Sequence, residues 1–232
     1  MTAIANEPLG AKLLAPPRHT LILIVGVLLL GVLGVCVQIA ARAHPANPGH
    51  AAGVVPLYLS LLAAEWGLFA FVRGGLRRGG SSVWVVVGRP GARGWALDIA
   101  IGLLLWAVWA AISLAWSHAA GGAPAAVLKP FHSQGPLEAV LWVALSCSAG
   151  ICEELAFRGY LQGQLLALSR NPAVAIAAQA VLFGIAHAYQ GPQPVLRITA
   201  FGLLFGLVAA WRRNPRAGMV AHAMTDIMAG LF

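Results

Sequence analysis

The chain has 232 residues, 59% hydrophobic and only 9% charged, with a mean hydropathy of +0.80. A soluble domain is about 25% charged, so a soluble enzyme, a disordered tail and a disulfide scaffold are set aside, and an integral membrane protein remains. The net charge of +8 comes from 15 Lys and Arg against 7 Asp and Glu. These basic residues fall between apolar runs, so they read as cytoplasmic-loop charge and not as a nucleic-acid surface.

A span needs about 20 mostly apolar residues. Residues 20–41 predict the first. It is longer than a signal-peptide core of roughly 15 residues, so it is read as a retained helix although Ala41-Arg42-Ala43 imitates a cleavage site. Residues 51–72 form the second, interrupted by Glu65. The stretch 81–88 reads as a short strand or an interfacial segment, and 95–116 as the third span. Residues 136–168 are too long for one perpendicular span and turn amphipathic from Glu153 onward. Segments 172–189, 195–211 and 217–232 complete a set of about seven, jointed at Asn171-Pro172, Gly191-Pro192 and Asn214-Pro215.

The expected fold is an all-α polytopic bundle with its site inside the membrane. It divides into an N-terminal segment at 1–19, three helices over 20–136 with a basic loop at 73–94, and a four-helix core over 137–232. A cytoplasmic N-terminus puts Lys12, Arg18, Arg73, Arg77, Arg78, Arg89, Arg93, Arg158, Arg170, Arg212, Arg213 and Arg216 inside. Only Arg42, Lys129 and Arg197 fall outside, which orients the chain in a cytoplasmic (inner) membrane. The Ala- and Arg-rich composition suggests a bacterium. Cys36, Cys147 and Cys152 lie in apolar runs and read as buried free thiols.

Ionisable groups at membrane depth cost about 2.5–3.5 kcal/mol each, yet Glu153 and Glu154 stand side by side in the fourth apolar segment. Arg158 follows Glu154 by four positions, so the two share a helix face and can pair. Glu153 points about 100° away, without a partner in its own helix, as a catalytic base beside a structural neighbour would. The fifth helix carries His187. His222 and Asp226 share a face of the last, which suits a carboxylate orienting an imidazole. Glu153 precedes Arg170 by 17 residues and His187 follows it by 17, so both lie about 25 Å from that turn. His222 reaches their height if the hairpin at residues 162–170 protrudes some 13 Å into the cytoplasm.

Glu153-Glu154-Leu155-Ala156-Phe157-Arg158 resembles the EExxxR motif of the CPBP family, the CAAX and bacteriocin-processing (Abi-type) proteases. Phe183–His187 resembles its FxxxH motif, and His222–Asp226 its HxxxN/D motif. The resemblance covers roughly residues 137–232. It implies an intramembrane endopeptidase of the glutamic type that acts on a membrane-associated peptide or protein tail. By position, Glu153 with His187 would activate the attacking water. His222 and Asp226 would stabilise the oxyanion, and Glu154 and Arg158 would support the site. Asp226 replaces the family's more usual Asn. A carboxylate donates only when protonated, so orienting His222 is its other reading. No cofactor is favoured. Zinc on Glu153, His187 and His222 is the alternative, although the HExxH spacing is absent. A non-catalytic binding or immunity protein and a proton-coupled transporter are the rival functions.

Glu65 reads as a structural carboxylate or as part of the cavity wall. Asp98 is expected to reach the membrane interface. Gly202 and Gly206 fit GxxxG, either internal packing or a weak sign of a dimer. His19, His44, His50, His118 and His132 lie in loops or ends with no assigned role.

Overall fold

The computed structural model describes residues 12–43, 54–119 and 135–231. The expected span start at 51–53, Lys129, His44, His50 and His132 lie outside the described residues. Regular structure among the described residues is helical throughout, the solution by which a backbone in lipid satisfies its own polar groups. In chain order the helices are α1 (Pro17–Ala43), α2 (Val54–Arg78), α3 (Val83–Val87), α4 (Ala92–Ala119) and α5 (Pro136–Glu154). A π-helical turn (Leu155–Leu161) joins α5 to α6 (Gln162–Ser169). After it come α7 (Pro172–Ala186), a 3-10 turn (Ala188–Gln190), α8 (Pro192–Arg212) and α9 (Arg216–Leu231).

α1, α2, α4, α8 and the continuous helix Pro136–Ser169 are long and apolar enough to cross a membrane. α7 and α9 have only 15 and 16 residues, so five of the expected seven reach span length. Leu29, Leu30 and Leu33 on α1 and Leu104 and Leu114 on α4 stay exposed, an apolar surface for lipid to cover. The stretch 81–88 is neither strand nor plain loop. It contains α3, which buries Val86 and Val87.

Two hairpin turns share one construction. Arg170 (φ 56°) and Arg213 (φ 54°) end α6 and α8 in the left-handed region. Each is followed by Asn and Pro. Asn171 Oδ1 accepts from the Ala173 and Val174 amides, at 2.9 and 3.3 Å. Asn214 Oδ1 accepts from the Arg216 amide at 3.0 Å. The Asn satisfies an orphan helix donor, and the Pro fills a first-turn position that needs none.

The hairpin end at 162–170 does not protrude as free polar chain. Gln162 donates to the Gly206 carbonyl at 3.0 Å. The Gln164 amide donates to the Ala15 carbonyl and to Thr20 Oγ1, and its oxygen accepts from the Leu14 and Ala15 amides. The N-terminal end of α1 is thereby strapped across α6 and the π turn, where Thr20 also meets the Tyr160 hydroxyl at 2.9 Å. His19 is likewise no spectator of a loop end. It is buried, stacks on Phe71 at 3.9 Å and bonds the Phe71 carbonyl at 2.9 Å.

Asp98 does not reach an aqueous interface. It is fully buried and pairs with Arg212 and Arg216, at 2.8 and 2.6 Å, tying α4 to the α8–α9 turn. Arg216 also donates to the Val87 carbonyl, which brings α3 into the knot. Asp98→Asn leaves two guanidinium groups short of a counter-charge, and breaking a buried pair costs about 3–5 kcal/mol. The expected result is a large fall in thermal stability in detergent, with an unaltered melting curve as the contrary outcome.

Gly202 and Gly206 serve internal packing. A Cβ at Gly202 would meet Ala180, and one at Gly206 would meet Gln179 and Gln162, so both glycines sit against neighbouring helices of the same chain. Of the cysteines only Cys152 is buried; Cys36 and Cys147 are exposed.

Candidate active site

Four elements supply the polar groups. α5 carries Glu153 and Glu154 at its last two positions, and the π turn beginning at Leu155 carries Arg158. α9 carries His222 and Asp226, and α7 ends at His187. Glycines let α9 lie against α5. A Cβ at Gly150 would stand 2.7 Å from the Met219 carbonyl oxygen, and one at Gly218 would stand 2.7 Å from Glu154 Oε2. All seven residues of the π turn are buried. Such wide turns recur where a helix must re-aim side chains at a functional site.

Glu154 is the electrostatic hub. Its Oε1 lies 2.9 Å from Arg158 Nη1 and accepts from His222 Nδ1 at 3.0 Å. A carboxylate only accepts, so Nδ1 is the donor, which fixes the ring's tautomer and turns Nε2 toward the remaining groups. Asp226 Oδ2 stands 3.5 Å from Nε2 and Glu153 Oε2 stands 3.8 Å from it. Both are beyond ordinary hydrogen-bond length. Glu154 thus holds His222 at Nδ1, and Asp226 stands at the ring's other nitrogen.

Arg158 is held by charge and by rings. No aligned acceptor is found for its N–H groups among the described residues. Its guanidinium carbon lies 4.0 Å from the Phe183 ring centre, with Phe201 at 5.5 Å and Phe205 at 5.8 Å. A desolvated guanidinium over an aromatic face gains about 2 kcal/mol. Phe183, Phe201 and Phe205 also surround His222 edge-on. Phe183 thus has a distinct job within Phe183–His187, as the platform between cation and imidazole. Phe201 and Phe205 on α8 carried no sequence signal beyond being apolar.

His187 bonds the Phe183 carbonyl through Nδ1 at 2.9 Å and packs its ring 4.9 Å from the Phe183 ring. It lies within electrostatic reach of His222, Asp226 and Arg158. No direct bond joins it to Glu153 among the described residues. Glu65, read as a structural carboxylate or cavity wall, comes from α2 into electrostatic reach of Glu153, His222 and Asp226. The sequence signal for it was an ionisable residue at span depth, and what was missing was its partner.

Side-chain exposure rises across the cluster, from 0% for Glu154 and Arg158 through 7% for His222 and 15% for Glu153 to 33% for Asp226. The site is closed behind Glu154 and open beside Asp226. Among the described residues no three His, Cys, Asp or Glu side chains are grouped to hold a metal ion.

Gly218→Ala tests the fit behind the hub. Its Cβ would press on the Glu154 carboxylate, and displacement of catalytic groups by about 1 Å costs on the order of 100-fold in rate. The expected result is a folded variant with turnover reduced by roughly that factor, whereas full activity would show that the carboxylate has room to move.

Residues 135–228 match the family described as Type II CAAX prenyl endopeptidase Rce1-like. The match includes Glu153, Glu154, Arg158, His187, His222 and Asp226 and leaves out Glu65. It agrees with the CPBP-type motifs on the same helices. No curated protein and no solved structure matches the chain.

Proposed function

We propose that this multi-pass chain, with a CPBP-type, Rce1-like segment over residues 135–228, is an intramembrane endopeptidase. It would hydrolyse a peptide bond in a membrane-associated peptide or protein tail. The observation that carries the reading is the divided electrostatics of two adjacent carboxylates. Glu154 holds Arg158 and His222 through Oε1 at the closed end of the site, while Glu153, 15% exposed against 0% for Glu154, stands 3.8 Å from His222 Nε2; the Oε2 atoms of both are buried with no donor among the described residues. A buried carboxylate oxygen with an unspent lone pair is the acceptor that a water proton needs.

In this reading the substrate enters beside Asp226, the open edge. Water held by Glu153, with His187 as the partner in positioning and proton transfer, attacks the carbonyl carbon. Glu153 takes the proton and later returns it to the leaving amine. His222, fixed at Nδ1 by Glu154 and protonated at Nε2, donates to the developing oxyanion, a preorganised stabilisation commonly worth about 2.7–4 kcal/mol. Asp226 beside Nε2 favours that protonated form.

The reaction is proposed as metal-free, because the HExxH spacing of zinc peptidases is absent from the sequence. Activity of the purified protein is expected to survive EDTA, and loss on chelation with recovery on adding zinc would reverse that assignment. We further place the N-terminus in the cytoplasm and the chain in a bacterial inner membrane, on the distribution of basic residues. The test of the function compares the N- and C-terminal peptides of membrane proteins from cells carrying the wild type or Glu153→Ala. At least one terminus present with the wild type should vanish with the variant. Identical termini together with a retained phenotype would point to a binding protein.

A further inference from the structure

We propose that Trp142 is a positioning residue of this site: its indole grips the far end of α9 and sets the register of that helix, with His222 and Asp226 on it, against Glu153 of α5. The inference rests on the peptidase reading and names what fixes the distance between its base and its imidazole.

α9 has 16 residues, a length at which a helix on its own is marginal and takes its place from its neighbours. Its neighbour here is α5, and three glycines mark where the two backbones close. A Cβ at Gly218 would press on Glu154, Gly150 faces the Met219 carbonyl and the Ala223 amide, and a Cβ at Gly230 would overlap the Trp142 indole. The outer two contacts are equally spaced: twelve residues along α9, from 218 to 230, and twelve back along α5, from 154 to 142. The helices therefore run antiparallel and in step over about 18 Å. The site lies between the two ends.

At one end Glu154 holds His222 through Nδ1 at 3.0 Å. At the other, Trp142 Nε1 donates to the backbone carbonyl of Asp226 itself at 2.9 Å. A carbonyl oxygen has two lone pairs, so this one can serve the helix and the indole together. Tyr58 packs behind the indole at 5.6 Å, and Tyr58 and Leu145 are buried with it, which leaves the ring little room to swing out of its notch. The 3.8 Å approach of Glu153 Oε2 to His222 Nε2 crosses from α5 to α9, so a slide of α9 changes it directly. Asp226 is the most exposed member of the cluster, and the hold on its backbone stands in for packing around its side chain. Tryptophan supplies both parts, a bulk that fills the glycine notch and an N–H that fixes the height of Asp226.

The test uses the full chain in lipid nanodiscs. In NMR spectra of isotope-labelled tryptophan, the Trp142 indole N–H is assigned by its loss in Trp142→Phe. It should exchange slowly with deuterium in the wild type and faster in Gly230→Ala, whose methyl group displaces the ring. Fast exchange in the wild type overturns the proposal. Trp142→Phe keeps a ring but no N–H. On the terminus identified in the cellular comparison it should lower kcat about tenfold, the scale of one hydrogen bond, with KM and the melting curve little changed. In Trp142→Leu combined with Gly230→Ala, the added methyl group refills space that the indole vacates. The melting temperature should rise above that of Trp142→Leu alone, while kcat stays down on the order of 100-fold. Wild-type kcat in Trp142→Phe, or a kcat that recovers along with stability in the double variant, overturns the positioning role and leaves a packing residue. If Trp142→Leu does not fold, Trp142→Phe and the exchange decide. The exchange needs no substrate, so failure of the clamp remains distinguishable from failure of the peptidase reading.

Discussion

Glu153→Gln is expected to leave a folded, membrane-inserted protein whose peptide cleavage is slower by on the order of 10⁴-fold. The amide has the shape of the carboxyl group, so packing between α2 and α5 is preserved. It cannot take a proton from water at any working pH, and the attack loses its base. The measurement is single-turnover cleavage alongside a melting curve. A small rate effect at unchanged stability would show that another group, with His187 the first candidate, abstracts the proton.

Arg158→Leu is the second large effect, and it falls on stability and activity together. Glu154 is fully buried, with Arg158 at 2.9 Å as its ionic partner. Removing the guanidinium strands that carboxylate, a change that costs about 3–5 kcal/mol. Glu154 then takes up a proton or draws more strongly on His222, and either response changes the tautomer or tilt of the imidazole facing the pocket. Arg158→Lys separates the two contributions. It keeps the charge but not the flat face that lies over Phe183, so it should recover more stability than turnover. Equal stability of Arg158→Leu and the wild type would show that Glu154 is neutral in the resting protein.

Contacts within one helix were legible in the sequence. The four-residue spacing of Glu154 and Arg158 placed them together, as did that of His222 and Asp226, because helical geometry alone decides such pairs. The Asn-Pro joints were legible for the same local reason. Contacts between helices were not. α1 and α4 are apolar all round, so no stripe marks which face turns inward. Asp98 was accordingly expected at an interface, when it closes an ion-pair knot with residues more than a hundred positions away. Glu65 stood out as an ionisable group at span depth, yet which charged groups it faces depends on how α2 packs against its neighbours. The π turn was hidden as well, since its seven residues read as ordinary helix. The Gln162–Arg170 stretch looked like solvated hairpin because its amides are polar, and they are spent instead on the backbone of α8 and of the segment leading into α1.

One experiment bears most directly on the assignment of a glutamate-activated water. The purified protein, reconstituted in a bilayer without added metal, is given the membrane protein whose terminus depends on it in cells. Cleavage at that same bond by the wild type, absent with Glu153→Gln at equal folded concentration, is the result expected here. Equal cleavage by both proteins, or none by either, would contradict it.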